Sequence, residues 1–504
     1  MNGPEFPADH WCFLDMQVAT QSAPMSRQQR DPEPKSLQLI RRILHDARVR
    51  RRGPKETFEA FEVRLHQELQ DVERELLAED LQRADVDAEA IVVQGNTLRR
   101  VIRSEQTYMT AAGPVSVLRT LYKDRSDPAE RAVVPMELRA GIVAGFWTPS
   151  AASQAAWVVA QMTPKTGEEL FRRLGNMAPS KSTLDRLPKE LAERVNDDRA
   201  SFEAELRDAM VVPERATTVM VSLDGVLAPM NDGDAVEKKA KTAARGQIAK
   251  GPAGYREVGC ATLSFYDGDG DCLAAVRMAR MPEPHKASLK KSLLAELKCA
   301  LDRRPDLTIV KAADGAVDNW TFLRDEVPAG VEVVDFFHAA EHLSEAVASV
   351  YGVGTVETRR KFADLRHVLL EDPDGATKVI RALAYLLRKY PGNKDVAKQL
   401  AYFRKRRQLM RYAELRQQGL PIGTGLTEAA CKTLVTQRMK QSGMRWGQTG
   451  GQAILNLRGW VQSDRFDHAW AMLAAAYRME VTLLNNVVPL RPNHHENQRE
   501  AASR

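Results

Sequence analysis

The chain has 504 residues, 43% hydrophobic and 28% charged, with a net charge of +6. That length exceeds one ordinary core, so two to four domains are expected, and the composition excludes a chain that is disordered throughout. No run of about eighteen apolar residues exists, so no membrane span is expected, and the opening "MNGPEFPADHWCFLDMQ" lacks the basic start of a secretory signal.

Cys12, Cys260, Cys272, Cys299 and Cys431 form no C-x-x-C pair. A disulfide framework and a cysteine-rich zinc module are both disfavoured, and the cytoplasm is the expected compartment.

Residues 1–36 are polar and contain proline without apolar periodicity, which predicts disorder. The region 37–210 reads as mainly helical and DNA-binding. It opens with a basic cluster, "RRILHDARVRRRGPK", followed by Phe58, Phe61, Leu65, Leu69, Val72 and Leu76 at helical spacing. That stripe suits a short coiled coil at a dimer contact or a helix in an ordinary bundle. "QTYMTAAGPVSVLRTLYKD" alternates and reads as a β-hairpin.

Within 166–195 one helix should stop near Gly175-Asn176, and another should start under a Ser180 cap. The pair resembles a helix-turn-helix that would offer Lys181, Ser182, Thr183 and Arg186 to DNA.

From about residue 211 to 354 the pattern switches to strands. "ATTVMVSLDGV" is an apolar run ending in Asp224-Gly225, and "REVGCATLSFYDGDGDCLAAVRMARM" is two strands around a turn. "LTIVKAADGA" is a short strand ending in Asp314-Gly315, and "GVEVVDFF" is another. With helices between them, these predict a mixed α/β layered sheet. Residues 355–420 read as helical and basic, 421–487 as the last core helices, and 488–504 as a loose tail. Between Ala401 and Trp446 ten Lys and Arg stand against two acids, a local excess larger than that of the whole chain. Such a block suggests a polyanionic partner, nucleic acid first, although a solvated helix face has the same composition.

Asp224 and Asp314 each end an apolar strand. Asp-Gly is also a common turn dipeptide. Two central strands ending in carboxylates would set like charges side by side, an arrangement that calls for a cation. Carboxylate oxygens suit Mg²⁺ or Mn²⁺. A third carboxylate from a packed helix would complete a site for two ions about 3.5–4 Å apart, able to activate an attacking oxygen and stabilise a leaving one at phosphorus. Glu428, in "PIGTGLTEAACKTLVTQRMKQSGMRW", is the candidate, although an acid in the first turn of a helix also complements the helix dipole. Lys432, Arg438, Lys440 and Arg445 follow it as candidate contacts to a DNA backbone, with Trp446 placed to stack on an unpaired base.

The stretches "VMVSLDGV", "AADGAVDNW", "VVDFFHAAEHL" and "GTGLTEAACKTLVTQRMKQSGMRW" resemble the ISKra-type bacterial insertion-sequence transposases, DDE enzymes related to the Mutator-like transposases. The similarity runs from about 217 to 460. It implies an α/β ribonuclease H-like catalytic core with a helical insertion, an Asp224-Asp314-Glu428 triad holding two Mg²⁺ or Mn²⁺ ions, and a homodimer or higher oligomer that acts on terminal inverted repeats and target DNA. Where the Mutator-like relatives carry C-x-x-H, this chain reads D-F-F-H, so Asp335 replaces the cysteine and His338 matches the histidine as accessory residues. The chain also lacks a paired-cysteine segment in its N-terminal half.

Two rivals stand beside this reading. One is an inactive or domesticated transposase-derived DNA-binding protein. The other is a zinc peptidase, since His338-Ala-Ala-Glu341-His342 matches H-x-x-E-H. A peptidase would need both histidines on one helical face, a downstream ligand and Glu341 as base.

Overall fold

The computed structural model describes residues 33–49, 55–124, 131–231, 242–244, 246, 254–314 and 316–484. Most of the segment expected to be disordered at the N-terminus, and the tail from 488, lie outside them. The chain divides into two compact units, Met1–Val72 and Glu73–Arg504. The first holds helix Lys35–Val49 and the opening turns of helix Phe58–Ala84.

The second unit contains two sheets. In the smaller, β1 (Ala90–Val93), β2 (Asn96–Thr110), β3 (Gly113–Lys123) and β9 (Thr482–Leu483) lie in the order β3-β2-β1-β9. The predicted hairpin is β2–β3, paired from Arg99–Lys123 to Thr110–Gly113. Its second strand alternates buried and exposed positions for most of its length, as a strand with one packed face must. The region expected to be mainly helical therefore carries a sheet as well. The short runs "AIVV" and "TL" are too brief to announce strands without their partners.

Helices Pro149–Gln161, Pro164–Leu174 and Lys181–Asp197 follow. Gly175 ends the second with a left-handed backbone, and Ser180 caps the third by accepting from the Thr183 N–H at 3.2 Å. These helices share an apolar core with Leu457, Phe466 and Leu473 from helices Gln448–Gln462 and Phe466–Ala476. The N-terminal helices and the chain's last helices thus form one packed layer.

The larger sheet has β4 (Thr218–Pro229) at its centre, in the order β6-β5-β4-β7-β8. β5 (Tyr255–Tyr266) and β6 (Cys272–Arg280) continue antiparallel on one side of β4; β7 (Thr308–Ala313) and β8 (Val331–Val334) run parallel to it on the other. Helices Ala287–Arg303 and Val317–Asp325 make the crossovers into β7 and β8. Three antiparallel strands followed by two parallel ones around a central first strand are compatible with a ribonuclease H-like fold.

Lys311 lies inside this sheet, 4% exposed, because its Nζ reaches the Val327 carbonyl at 2.8 Å. After helix Phe336–Tyr351 comes an all-helical stretch, Val356–Glu371, Gly375–Lys389, Lys394–Arg406 and Tyr412–Gln417, as the sequence pattern predicts.

Candidate active site

β4 passes unbroken through Asp224 and Gly225. On the β5 side Asp224 opposes Cys260 and Gly225 opposes Gly259, and pairing continues to Pro229. On the other side the parallel pairing with β7 runs from Thr218–Thr308 to Ser222–Ala312 and stops. The strand does not end at Asp224, as its composition suggests; only its bond to β7 does. Gly225 is not a turn residue either, for it pairs with Gly259 inside the strand. It is small because Glu257 lies against it: a Cβ at Gly225 would meet Glu257 Oε1 at 1.8 Å.

Asp314 directly follows β7. The last β4–β7 pair is Ser222–Ala312, so Asp224 and Asp314 each lie two residues beyond it, Asp224 within β4 and Asp314 just past the end of β7. The next helix holds Asp314 in place: its Oδ1 accepts from the Ala316 N–H at 3.0 Å, and its backbone carbonyl accepts from Trp320 Nε1 at 2.7 Å.

Glu428 sits in helix Gly425–Ala430, which packs on β5 through a 2.7 Å hydrogen bond between the hydroxyls of Thr427 and Thr262. The helix runs on as a π-helical segment, Cys431–Thr436, before closing at Gln437–Met439. Widened turns of this kind are frequent at functional sites. Arg458 stabilises this one by donating Nε to the Thr433 carbonyl at 3.0 Å.

Asp335 fixes where this helix begins. It is fully buried and caps helix Phe336–Tyr351, with Oδ1 accepting the His338 N–H at 2.6 Å. Its Oδ2 accepts the Thr424 hydroxyl at 2.8 Å and the Thr424 N–H, and next to it the Phe336 N–H bonds the Ile422 carbonyl at 3.0 Å. Asp335 is therefore an anchor between two helices.

Burial pushes the Asp224 pKa up, and the charge of Asp314 adds to it; the Gly225 N–H and the Lys286 ammonium act the other way. Partial desolvation raises Glu428 as well, and the charges of Asp335, Glu341 and Asp224 push in the same direction. The Glu428 side chain still reaches solvent, which moderates the effect. Asp224 thus feels the charge of Asp314, and Glu428 feels that of Asp224. Among the described residues, no three His, Cys, Asp or Glu side chains form a ready-made cage for a metal ion. The chemistry of the Asp224–Asp314 pair nonetheless fits a hard cation: it offers oxygens only, with like charges already raising one member. Mg²⁺ commonly uses one or two carboxylates, with water and substrate oxygens completing its shell.

The H-x-x-E-H stretch forms something else. His338 and His342 face each other across one helical turn, Nε2 to Nε2 at 3.2 Å. His342 Nδ1 bonds Gln399 Oε1 at 2.7 Å, and Gln399 Nε2 bonds Glu345 at 2.6 Å. Burial and His338 lower the His342 pKa. Glu341 is mostly exposed, 3.7 Å from His338 Nδ1. The ring of Tyr402, from the helical stretch, lies 3.8 Å from that of His342.

The basic helix divides into two kinds of residue. Lys432 and Arg445 are exposed and Lys440 is half-buried. Arg438 is 2% exposed; its Nε and Nη2 both donate to the Val159 carbonyl at 3.2 Å, and it covers the Trp446 ring at 5.3 Å. The helix ends at Met439 and the chain folds back, so that Trp446 bridges Met230 and its indole N–H bonds the Met439 carbonyl at 2.9 Å. Arg438 is thus turned into the protein interior, unlike the exposed contact its spacing suggests, while Trp446 is half-buried with its indole N–H engaged. Spacing along one helix cannot reveal a return loop. Lys181 and Arg186 are exposed on helix Lys181–Asp197.

Glu257, Lys286 and Asn319, which border the acidic surface, carry no motif that sequence reading would single out.

No protein-family model matches the sequence, and no curated relative matches it. A solved structure described as the Drosophila P element transposase strand transfer complex aligns at 11% identity, covering 66% of this chain and 83% of that one, with a TM-score of 0.25.

Proposed function

We propose that the protein is a DDE DNA transposase that binds the terminal inverted repeats of a bacterial insertion sequence and catalyses strand cleavage and strand transfer. The observation that carries this reading is that Asp224 and Asp314 each lie two residues past the last β4–β7 pair, near enough for Asp314 to act on Asp224, with Glu428 close enough to feel the charge of Asp224. Asp224 and Asp314 would hold a divalent cation, Mg²⁺ or Mn²⁺, and Glu428 would complete the set for two ions. When bound, such ions lower the pKa of an attacking water or 3′-hydroxyl and stabilise the leaving oxygen.

The chain supplies the rest. Asp335 anchors the start of the helix that carries Glu428, and the Ala316 N–H holds Asp314, before substrate arrives, so that little reorganisation would accompany reaction. The exposed cations Lys432 and Arg445, with Lys440, would meet phosphates near the site. Lys181 and Arg186 would serve the element's ends through the paired helices. Joining two ends calls for a homodimer or larger assembly. Among the described residues no helix is long and apolar enough to cross a membrane.

The zinc-peptidase reading has less support. One nitrogen of His342 faces His338 and the other is engaged by Gln399, and no third ligand stands with them among the described residues.

The test is a strand-transfer assay. Labelled DNA carrying the element's end is incubated with the protein, Mg²⁺ or Mn²⁺ and a target plasmid. Joining is expected from the wild type and lost in Asp224→Asn, Asp314→Asn and Glu428→Gln, each of which still binds DNA. Binding without cleavage by the wild type would point instead to an inactive or domesticated DNA-binding protein.

A further inference from the structure

A run of polar side chains borders Asp224 and Asp314, and the proposed chemistry does not use it. It starts with Glu257 on β5, lying against Gly225. Lys286 Nζ donates to Glu257 Oε1 at 2.9 Å and stands 3.4 Å from Asn319 Oδ1. Asn319 is 1% exposed, and its amide donates to the Leu223 carbonyl at 3.3 Å and to Asp314 Oδ1 at 3.4 Å. The run thus ends on one candidate ligand, and its ammonium acts on the other, since Lys286 opposes the rise in the Asp224 pKa.

The backbone goes out of its way to deliver this lysine. His285 (φ 54°) and Lys286 (φ 55°) are consecutive left-handed residues, and neither is glycine. L side chains disfavour that conformation, and it persists where the surroundings enforce it. The Lys286 stem then crosses Gly259, where a Cβ would meet its Cγ at 3.3 Å and Leu289 Cδ2 at 2.8 Å. Gly259 is the register partner of Gly225. Two facing glycines therefore clear the strip on which Glu257 and Lys286 lie.

An ordinary exposed Lys–Glu pair contributes little to stability and needs none of this. The Lys286 side chain is only 14% exposed, and a largely desolvated ammonium must be compensated by nearby negative charge.

We propose that Lys286 is a positioning residue of the acidic site: its ammonium, paired with Glu257, also offsets the charge of Asp224 until a divalent cation binds, and through Asn319 it holds Asp314 in its ligating orientation. The inference rests on the reading of Asp224 and Asp314 as cation ligands. It implies a split that a merely structural lysine would not produce. Losing the ammonium removes a competing positive charge, so a cation binds more tightly, while Asp314 loses its support, so turnover slows.

The experiment compares wild type, Lys286→Met and Lys286→Arg. Binding of Mn²⁺ alone is followed by the electron paramagnetic resonance of the free ion, and DNA cleavage is measured at saturating Mn²⁺. Lys286→Met should bind Mn²⁺ several-fold more tightly and cleave about tenfold more slowly, and Lys286→Arg should recover part of the rate. Parallel weakening of both, or no change in either, overturns the proposal.

Metal-free melting temperatures separate this inference from the reading beneath it. Lys286→Met should lower the melting temperature in the wild-type background and lower it less in the Asp224→Asn background. Equal losses in both overturn the counter-ion role. A wild type that neither binds Mn²⁺ nor cleaves DNA, yet shows the unequal losses, sinks the transposase reading and leaves the counter-ion standing.

Discussion

Thr424 donates both its backbone N–H and its hydroxyl to one carboxylate oxygen of Asp335, across 89 residues of sequence. The other oxygen caps the helix that begins at Phe336. One buried acid therefore sets the start of two helices, and the second of them carries Glu428.

Asp335→Ala should strand the three donors that this carboxylate satisfies. Burying unpaired donors while losing a helix cap is expected to lower stability by about 3 kcal/mol, and Asp335→Asn, which keeps an acceptor, should lose less. Urea denaturation monitored by circular dichroism checks the order. Equal losses for the two substitutions would count against the anchoring role.

Asp224→Asn should melt higher than wild type at pH 7 in metal-free buffer. The folded protein holds the Asp224 proton more tightly than the unfolded chain does, because burial and Asp314 raise its pKa. The unfavourable ionisation enters as pH rises above the unfolded carboxyl value of about 3.9 and levels off once the folded group has titrated. The gain from the substitution should therefore fade as pH falls below about 4. A difference in melting temperature that stays constant with pH would contradict this assignment.

The basic residues should divide by salt dependence. Replacing Lys432 or Arg445 with alanine should reduce the slope of log affinity for DNA against log salt by about one each, since each exposed cation releases a counter-ion. Arg438→Ala should leave that slope alone and lower stability by about 2 kcal/mol, because its guanidinium is buried on the Val159 carbonyl. Filter binding across a salt series, paired with thermal melts, separates the two classes.

Tyr402→Phe should be at least as stable as wild type, within about 1 kcal/mol. The Tyr402 hydroxyl is buried with no hydrogen-bond partner among the described residues, so deleting it removes a desolvated group without breaking a bond. Its ring contacts with His342 and Arg406 remain. A clear loss in a denaturation curve would show that the hydroxyl has a partner after all.

The sequence by itself determined much of the architecture. Apolar runs of strand length, joined by helical periods, specified the order of elements from Thr218 to Tyr351, because burial imposes its period on residue choice locally. The hairpin around Gly113 and the helix start at Ser180 were legible for the same reason: turn and cap chemistry sits within a few residues. The two aspartates could be named, since each follows an apolar run.

Tertiary structure alone decided what those residues meet. Whether Asp224-Gly225 is a turn depends on β5 continuing beside it to Pro229, which no local pattern records. Asp335 became an anchor only when Thr424 arrived from a distant stretch of chain, and Arg438 left the basic surface only because the Val159 carbonyl, far away in sequence, receives it. The pairing of Gly225 with Gly259, and the lysine that crosses one of them, is likewise set by strand register. The physical reason is common to all four. A residue type states what chemistry is available, but hydrogen bonds and charge act over a few ångströms, and which groups come that close is fixed by packing between segments far apart in sequence.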